Sequence, residues 1–348
     1  MPDDAPSDTL RGRATGSRLK LWLLLDADRR LVTALLVGVV FAATLAAALV
    51  APGAAETVRS TDSIDTLFQA LLTATITGVT LVLTLNQLVL SQELGAVGDQ
   101  RDRMEEAMAF RDDAADAVDA PVAPARPAQF LRAFVQVAGD RARDLRAAVP
   151  EDTPLADDVD RLVDSLVGNA ERVSADLEGA AFGEFEVVSA ALDFNYSWKV
   201  FAARRIETEH DDALSAEAGE ALDRLTEVLQ LFGPAREHFK TLYFQWELID
   251  LSRAILVAAV PALVVSTFMV AFFRPASVEG TVLGVDAVVL AVAVGATVAL
   301  VPFLLLLAYV LRIATVTKHT LSIGPFILRE TEEAAEVEWN GEDGDEEA

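Results

Sequence analysis

Cysteine is absent from this chain of 348 residues. That excludes disulfide scaffolds, thiolate zinc sites, iron–sulfur clusters and cysteine nucleophiles together. Lysine is nearly absent, with only Lys20, Lys199, Lys240 and Lys318 against 24 Arg and 29 Asp. The three histidines, His210, His238 and His319, are too far apart in sequence to suggest a paired metal site. Basic residues are few overall, 28 against 54 acids, and the net charge of −26 argues against the basic face that nucleic-acid binding requires. No P-loop, GxGxxG, GxSxG, HExxH or kinase motif occurs. The acid clusters at Asp112, Asp113, Asp116 and Asp119, and at Asp157, Asp158 and Asp160, lack the glycine turn and spacing of an EF-hand. The expectation is therefore no catalytic, cofactor-binding or metal-ligating residues, no cofactor, and no enzyme.

What remains is hydrophobic. Apolar residues make up 52% of the chain and the mean hydropathy is +0.34, a value at odds with such an acidic composition unless the two properties occupy different segments. Four runs are long and apolar enough for a bilayer core of ~30 Å, which takes ~20 helical residues. They are Leu31–Val50, Thr66–Ser91, Ala254–Phe273 and Val282–Leu311, and their one charged residue is Asp286, near the end of the fourth. The first run, at about 20 residues, exceeds the 7–15 of a signal peptide and reads as a retained helix.

The flanks orient these spans. Arg11, Arg13, Arg18, Lys20, Arg29 and Arg30 precede the first; Arg101 and Arg103 follow the second; Arg253 precedes the third; Arg312 and Lys318 follow the fourth. The intervening loops at 51–65 and 274–281 carry one base each. The positive-inside bias then makes both termini cytoplasmic in a multi-pass protein of the cell membrane.

The organisation expected is all-α and polytopic. Residues 1–30 form a cytoplasmic tail with an interfacial segment around Trp22, and 31–91 hold transmembrane helices 1 and 2. Residues 92–250 form an acidic cytoplasmic helical domain, 251–311 hold helices 3 and 4, 312–329 are juxtamembrane, and 330–348 form a disordered tail with ten acids and no base. Within the central region, which has 34 acids and 16 bases, helices are expected at Glu93–Val118 (continuing the second span), Gln129–Val149, Leu155–Gly179, Glu184–His210 and Ser215–Phe232. Gly233-Pro234 restarts a helix running into the third span, and no strand pattern is found.

The second span carries the most informative pattern. Thr66, Gln69, Thr73, Thr77, Thr80, Thr84, Gln87 and Ser91 fall within an arc of about 80° on a helix of 3.6 residues per turn, and no apolar residue of the span shares that arc. Thr75 and Asn86 lie on the opposite side. Two readings stay open. Several copies of the helix could surround a water-filled path lined by these hydroxyls and amides. The commoner use of such residues is interhelical packing, with Thr and Ser bonded to their own i−4 carbonyls and Gln reaching a neighbour.

Other spans carry ridges of small residues four apart, at Ala34, Gly38, Ala42 and Ala46, at Ala254, Ala258, Ala262 and Ser266, and at Ala287, Ala291, Gly295 and Ala299. Such ridges allow close helix packing in lipid. Pro261 and Pro302 lie inside spans and are candidate hinges or fixed bends. The run from Phe239 to Glu247 (FKTLYFQWE) reads as an aromatic belt at the headgroup level or as a coupling element between cytoplasmic and membrane helices.

The segments Leu83–Met104, Phe239–Ala254 and Tyr309–Leu328 resemble a group of uncharacterised four-span membrane proteins of haloarchaea, and the acid-rich, lysine-poor composition is similar to that of salt-in haloarchaeal proteins. The two-span, cytoplasmic-domain, two-span plan also resembles bacterial membrane families described as bestrophin-like. The resemblance implies the four-span fold and brings no established activity or catalytic residues to carry over. The functional expectation is a homo-oligomeric channel in the bilayer whose helix-2 stripe lines the path. Its alternative is a non-transporting anchored scaffold or sensor with a cytoplasmic protein partner.

Overall fold

The computed structural model describes residues 17–60, 62–181 and 185–320. The expectations for most of the N-terminal tail and for the acidic tail at 330–348 lie outside them. The described chain is helical apart from one small hairpin, as the all-α reading expects, and it divides into two compact units.

The first unit is built, among the described residues, from 98–243 with 317–320. Before it come α1 (Arg18–Leu21, continued by a π-turn at Trp22–Asp26), α2 (Arg29–Val50), α3 (Ala54–Ser60) and α4 (Ser63–Glu93). Helix α5 (Val97–Ala117) does not continue α4, because Leu94 turns extended and residues 94–96 leave the helix. Arg111 of α5 holds the proline-broken loop beyond it, donating to the Ala123 carbonyl at 2.7 Å. Helices α6 (Pro127–Ala148) and α7 (Pro154–Leu177) each begin on a proline, whose missing N–H is harmless at a first helical turn. Thr153 caps α7 by accepting from the Ala156 amide at 3.0 Å.

Apolar residues at helical spacing close the core of this unit: Phe130, Leu131, Phe134, Ala138 and Leu145 on α6 meet Leu155, Val159, Leu162, Leu166 and Val173 on α7. The expected helix over Glu184–His210 is two helices, α8 (Phe185–Leu192) and α9 (Tyr196–Glu209). The buried Asn169 amide holds the break between them by donating to the Asp193 carbonyl at 2.8 Å. Helix α10 (Ala216–Ala271) runs 56 residues without interruption. Gly233-Pro234, expected to restart the helix, lies inside it, and the glycine answers to packing: a Cβ there would sit 2.8 Å from the Tyr196 ring. The guanidinium of Arg236 stacks 4.6 Å from the centre of the same ring.

The second unit comprises Ser17–Val97 and Phe244–Val316. The chain in it ends with α11 (Ala287–Thr320), preceded by strands β1 (Thr281–Val282) and β2 (Val285–Asp286), an antiparallel hairpin the sequence pattern did not indicate. Its turn uses positive φ at both Leu283 and Gly284, so the fourth span begins at Ala287 rather than Val282. Among the described residues four helices are long and apolar enough to cross a membrane: α2, α4, α10 through its second half, and α11.

Their packing is antiparallel in sequence order. Ile64, Phe68 and Leu71 near the start of α4 pack with Met269 late in α10 and Ala296 and Ala299 early in α11. Val82, late in α4, packs with Leu251 and Ile255. Val32, early in α2, packs near Ala308, late in α11. Arg29, Arg253 and Arg312 therefore share one end of the bundle, and Arg59 and Asp286 the other.

The small-residue ridges of α10 and α11 serve that packing. Ala262, Ser266, Gly295 and Ala299 are buried, and a Cβ on Gly295 would lie 3.0 Å from the Phe68 ring. The ridge of α2 is exposed along its whole length.

Candidate functional site

Helix α4 has two faces that lie half a turn apart. Ile64, Phe68, Leu71, Thr75 and Val82 face the bundle and are buried. Thr66, Gln69, Thr73, Thr77, Thr80, Thr84, Gln87 and Ser91 are all exposed. The polar arc is thus centred opposite the packed face, and the three other spans of the same chain do not cover it. The single chain therefore leaves the stripe uncovered by its own bundle.

Four of the hydroxyls on the arc are turned inward along the helix. Thr73 donates to the Gln69 carbonyl at 3.0 Å, Thr77 to Thr73 at 2.9 Å, Thr80 to Ile76 at 3.0 Å and Thr84 to Thr80 at 3.1 Å. Each back-bond consumes the only hydroxyl proton and leaves oxygen lone pairs and a methyl facing outward. Gln69 and Gln87 have no such internal outlet. Both lie inside a ~30 Å slab centred on α4, and an amide facing lipid there without a partner costs roughly 2–7 kcal/mol.

Apolar residues border the arc on both sides. Leu67, Ala70 and Leu81 flank one edge; Ile76, Leu83 and Leu90 flank the other, all exposed. The polar residues of the packed face behave differently. Thr75 back-bonds to Leu71 at 2.8 Å, and the Asn86 side-chain oxygen accepts from the Ser252 hydroxyl of α10 at 2.8 Å.

Of the candidate hinges, Pro302 is buried and Pro261 exposed, and the helices run unbroken through both. The Phe239–Glu247 run does not form one belt. Phe239 stacks edge-on to Phe130 at 5.9 Å and Tyr243 lies 5.7 Å from Phe185, both within the first unit, whereas Trp246 is exposed in the second. Glu247 accepts from Arg312 at 3.3 Å.

That last contact belongs to a charged network absent from the sequence reading. Arg312 also donates to the Ala27 carbonyl at 2.7 Å, and Arg29 donates to the carbonyls of Ala27 at 2.5 Å and Ala308 at 3.2 Å. Both arginines are buried. The signal available was only that each charge abuts a span end. At the opposite end, Arg59 grips Asp286 with two hydrogen bonds at 2.8 and 2.9 Å, and Asp286 caps α11 through the Val288 amide at 2.9 Å. The Arg59 hydrogen bond, with the Val288 amide, holds the Asp286 carboxyl below its ordinary range.

Among the described residues, Asp158, Glu209 and His210 bring potential metal-ligand atoms within 4.8 Å of one another. Each acid is already engaged: Asp158 with His210 at 2.8 Å and with Arg161, Glu209 with Arg205 at 2.8 Å. Burial works to raise the Asp158 carboxyl, but the bonds from His210 and Arg161 outweigh it and hold the group below its usual value. The arrangement is an ion-pair network linking α7 to the end of α9.

Four apolar helices packed through small residues, with apolar side chains left outward along them, define a multi-pass helical membrane protein. Within that class the chain belongs to a family of unknown function (DUF7972), whose model matches residues 1–341. No curated protein and no solved structure matches it.

Proposed function

We propose that this protein is a homo-oligomeric membrane channel in which the polar arc of α4 from each copy lines a water-filled path. The observation that carries this reading is the outward arc, set opposite the packed face and bordered by two apolar shoulders. The shoulders suit a ring: Leu67, Ala70 and Leu81 of one copy meet Ile76, Leu83 and Leu90 of the next, a head-to-tail contact that closes by rotation. Water in the middle satisfies Gln69 and Gln87, which lipid would not. The bundle end that carries Arg29, Arg253 and Arg312 faces the cytoplasm of a cell membrane by the positive-inside bias, with both termini on that side. The acid-rich, lysine-poor composition supports a haloarchaeal setting for the whole molecule.

The test uses the absence of native cysteine. Single cysteines at Thr73, Thr77, Thr80 and Thr84, with Val82 on the packed face and Leu83 on a shoulder as controls, are exposed to a charged, membrane-impermeant thiol reagent. Labelling along the arc and silence at both controls is the expected result. Silence at all six positions refutes the water-filled path. It leaves the arc as a dry contact between copies, in a protein that anchors its acidic helical unit to the membrane as a scaffold or sensor.

A further inference from the structure

Resting on the channel reading, we infer that the path selects hydrated monovalent cations over anions, through hydroxyl oxygens whose protons are committed elsewhere and an acidic mouth at Asp62.

A free threonine hydroxyl serves either sign of charge, since it both donates and accepts. On this helix that freedom is gone at four successive levels. Thr73, Thr77, Thr80 and Thr84 each spend their proton on an i−4 carbonyl, so what they turn outward is an acceptor. Acceptor oxygens stabilise cations and offer an anion nothing, as carbonyl rings do in cation filters. The other groups on the arc able to donate stand toward its ends, the Thr66 hydroxyl, the Gln69 and Gln87 amides and Ser91, and no arginine, lysine or histidine lies on it.

The second observation is at the mouth. Asp62 stands one turn before Thr66 and its carbonyl accepts from the Thr66 amide at 3.0 Å, so it continues the helical line of the arc. Its side chain is exposed and enters no ion pair among the described residues. The nearby Arg59 is committed to Asp286 at the same end of the bundle. A ring of copies therefore places one carboxylate per copy at the top of the path, where fixed charge concentrates counter-ions. The two features act differently. The carboxylates work at a distance and are screened by salt, with a Debye length of ~30 Å at 0.01 M and ~3 Å at 1 M. The hydroxyl oxygens work by contact and are not.

The experiment measures reversal potentials of the full-length protein in planar bilayers under a KCl gradient, at low and at molar salt, after confirming insertion. The expected result is a potential of the sign set by K+ at both salt levels. Asp62→Asn lowers the K+ over Cl− permeability ratio roughly tenfold at low salt and leaves it nearly unchanged at 1 M. The double variant Thr77→Val/Thr80→Val lowers the ratio at both salt levels, while Thr77→Ser/Thr80→Ser retains it. Thiol labelling at Thr84→Cys, introduced into each variant, reports that the path is intact. A chloride-set potential, or Thr→Val variants with unaltered ratios, overturns the cation assignment while leaving the channel standing. No current from inserted protein overturns the channel itself, and with it this inference.

Discussion

The two faces of α4 carry polar residues of the same kinds, and they use them in opposite ways. On the packed face Thr75 returns its proton to Leu71 and the Asn86 carbonyl takes the Ser252 hydroxyl, so these two groups find partners inside the protein, with apolar neighbours close by. On the exposed face the threonines make the same back-bonds, but the two glutamines have only the outside to turn to. Hydrogen-bond satisfaction within one chain therefore accounts for the first face and not for the second. What distinguishes them is the long amide, which needs a partner beyond the helix that bears it.

The contrast can be broken from its packed side with the largest effect. Phe68 is fully buried between Met269 of α10 and Ala296 and Ala299 of α11. Phe68→Ala should cost about 3–5 kcal/mol in the unfolding free energy of the detergent-solubilised protein. A loss below 1 kcal/mol would show that this face is not the core. Next in size is Asn86→Ala, which removes the Ser252 partner. Buried polar pairs in membrane bundles average ~0.6 and reach ~1.7 kcal/mol, and the same denaturation assay reads the loss.

A smaller effect belongs to the first unit, whose charged side chains are exposed around an apolar core. Asp158 has its carboxyl held down by His210 and Arg161, so it stabilises the fold at pH values above the ordinary aspartate range. That contribution is lost as the pH falls from about 4 through the lowered folded value. Asp158→Asn should therefore flatten the acid limb of the stability profile by under about 1 kcal/mol. A variant whose acid limb matches the parent's refutes the pairing. The smallest effect on stability falls on the arc itself. Thr77→Val should change the unfolding free energy by within about 0.5 kcal/mol, although conduction is expected to respond. A large destabilisation would mean the arc is packed against something within the chain.

Periodicity and flanking charge disclosed the spans and the acidic helical region, because bilayer thickness and helical pitch constrain composition directly. The ends of helices were harder. Glycine and proline at 233 and 234 read as a break, yet the helix continues through both, and the glycine makes room for Tyr196. The interruption after Leu192 arises from Asn169, 24 residues away and invisible to local propensity. The hairpin at Thr281–Asp286 rests on two residue pairs, too short for any alternation to register. As for the site, its eight residues were legible as an arc, but its outward direction was not. That depends on which face finds Phe68, Val82 and Asn86 their partners, a property of three helices together.

The threonine back-bonds also have a mechanical side. The carbonyls of Gln69, Thr73, Ile76 and Thr80 each accept twice, once from the amide four residues on and once from a hydroxyl, and all four stand on one side of the rod. Doubly loaded carbonyls tilt away from the axis and lengthen the ladder locally, and repeated on one side they add up to curvature. Such one-sided loading by side chains favours curvature in a helix that has no proline to impose it. Each exchange of threonine for valine should straighten the rod a little.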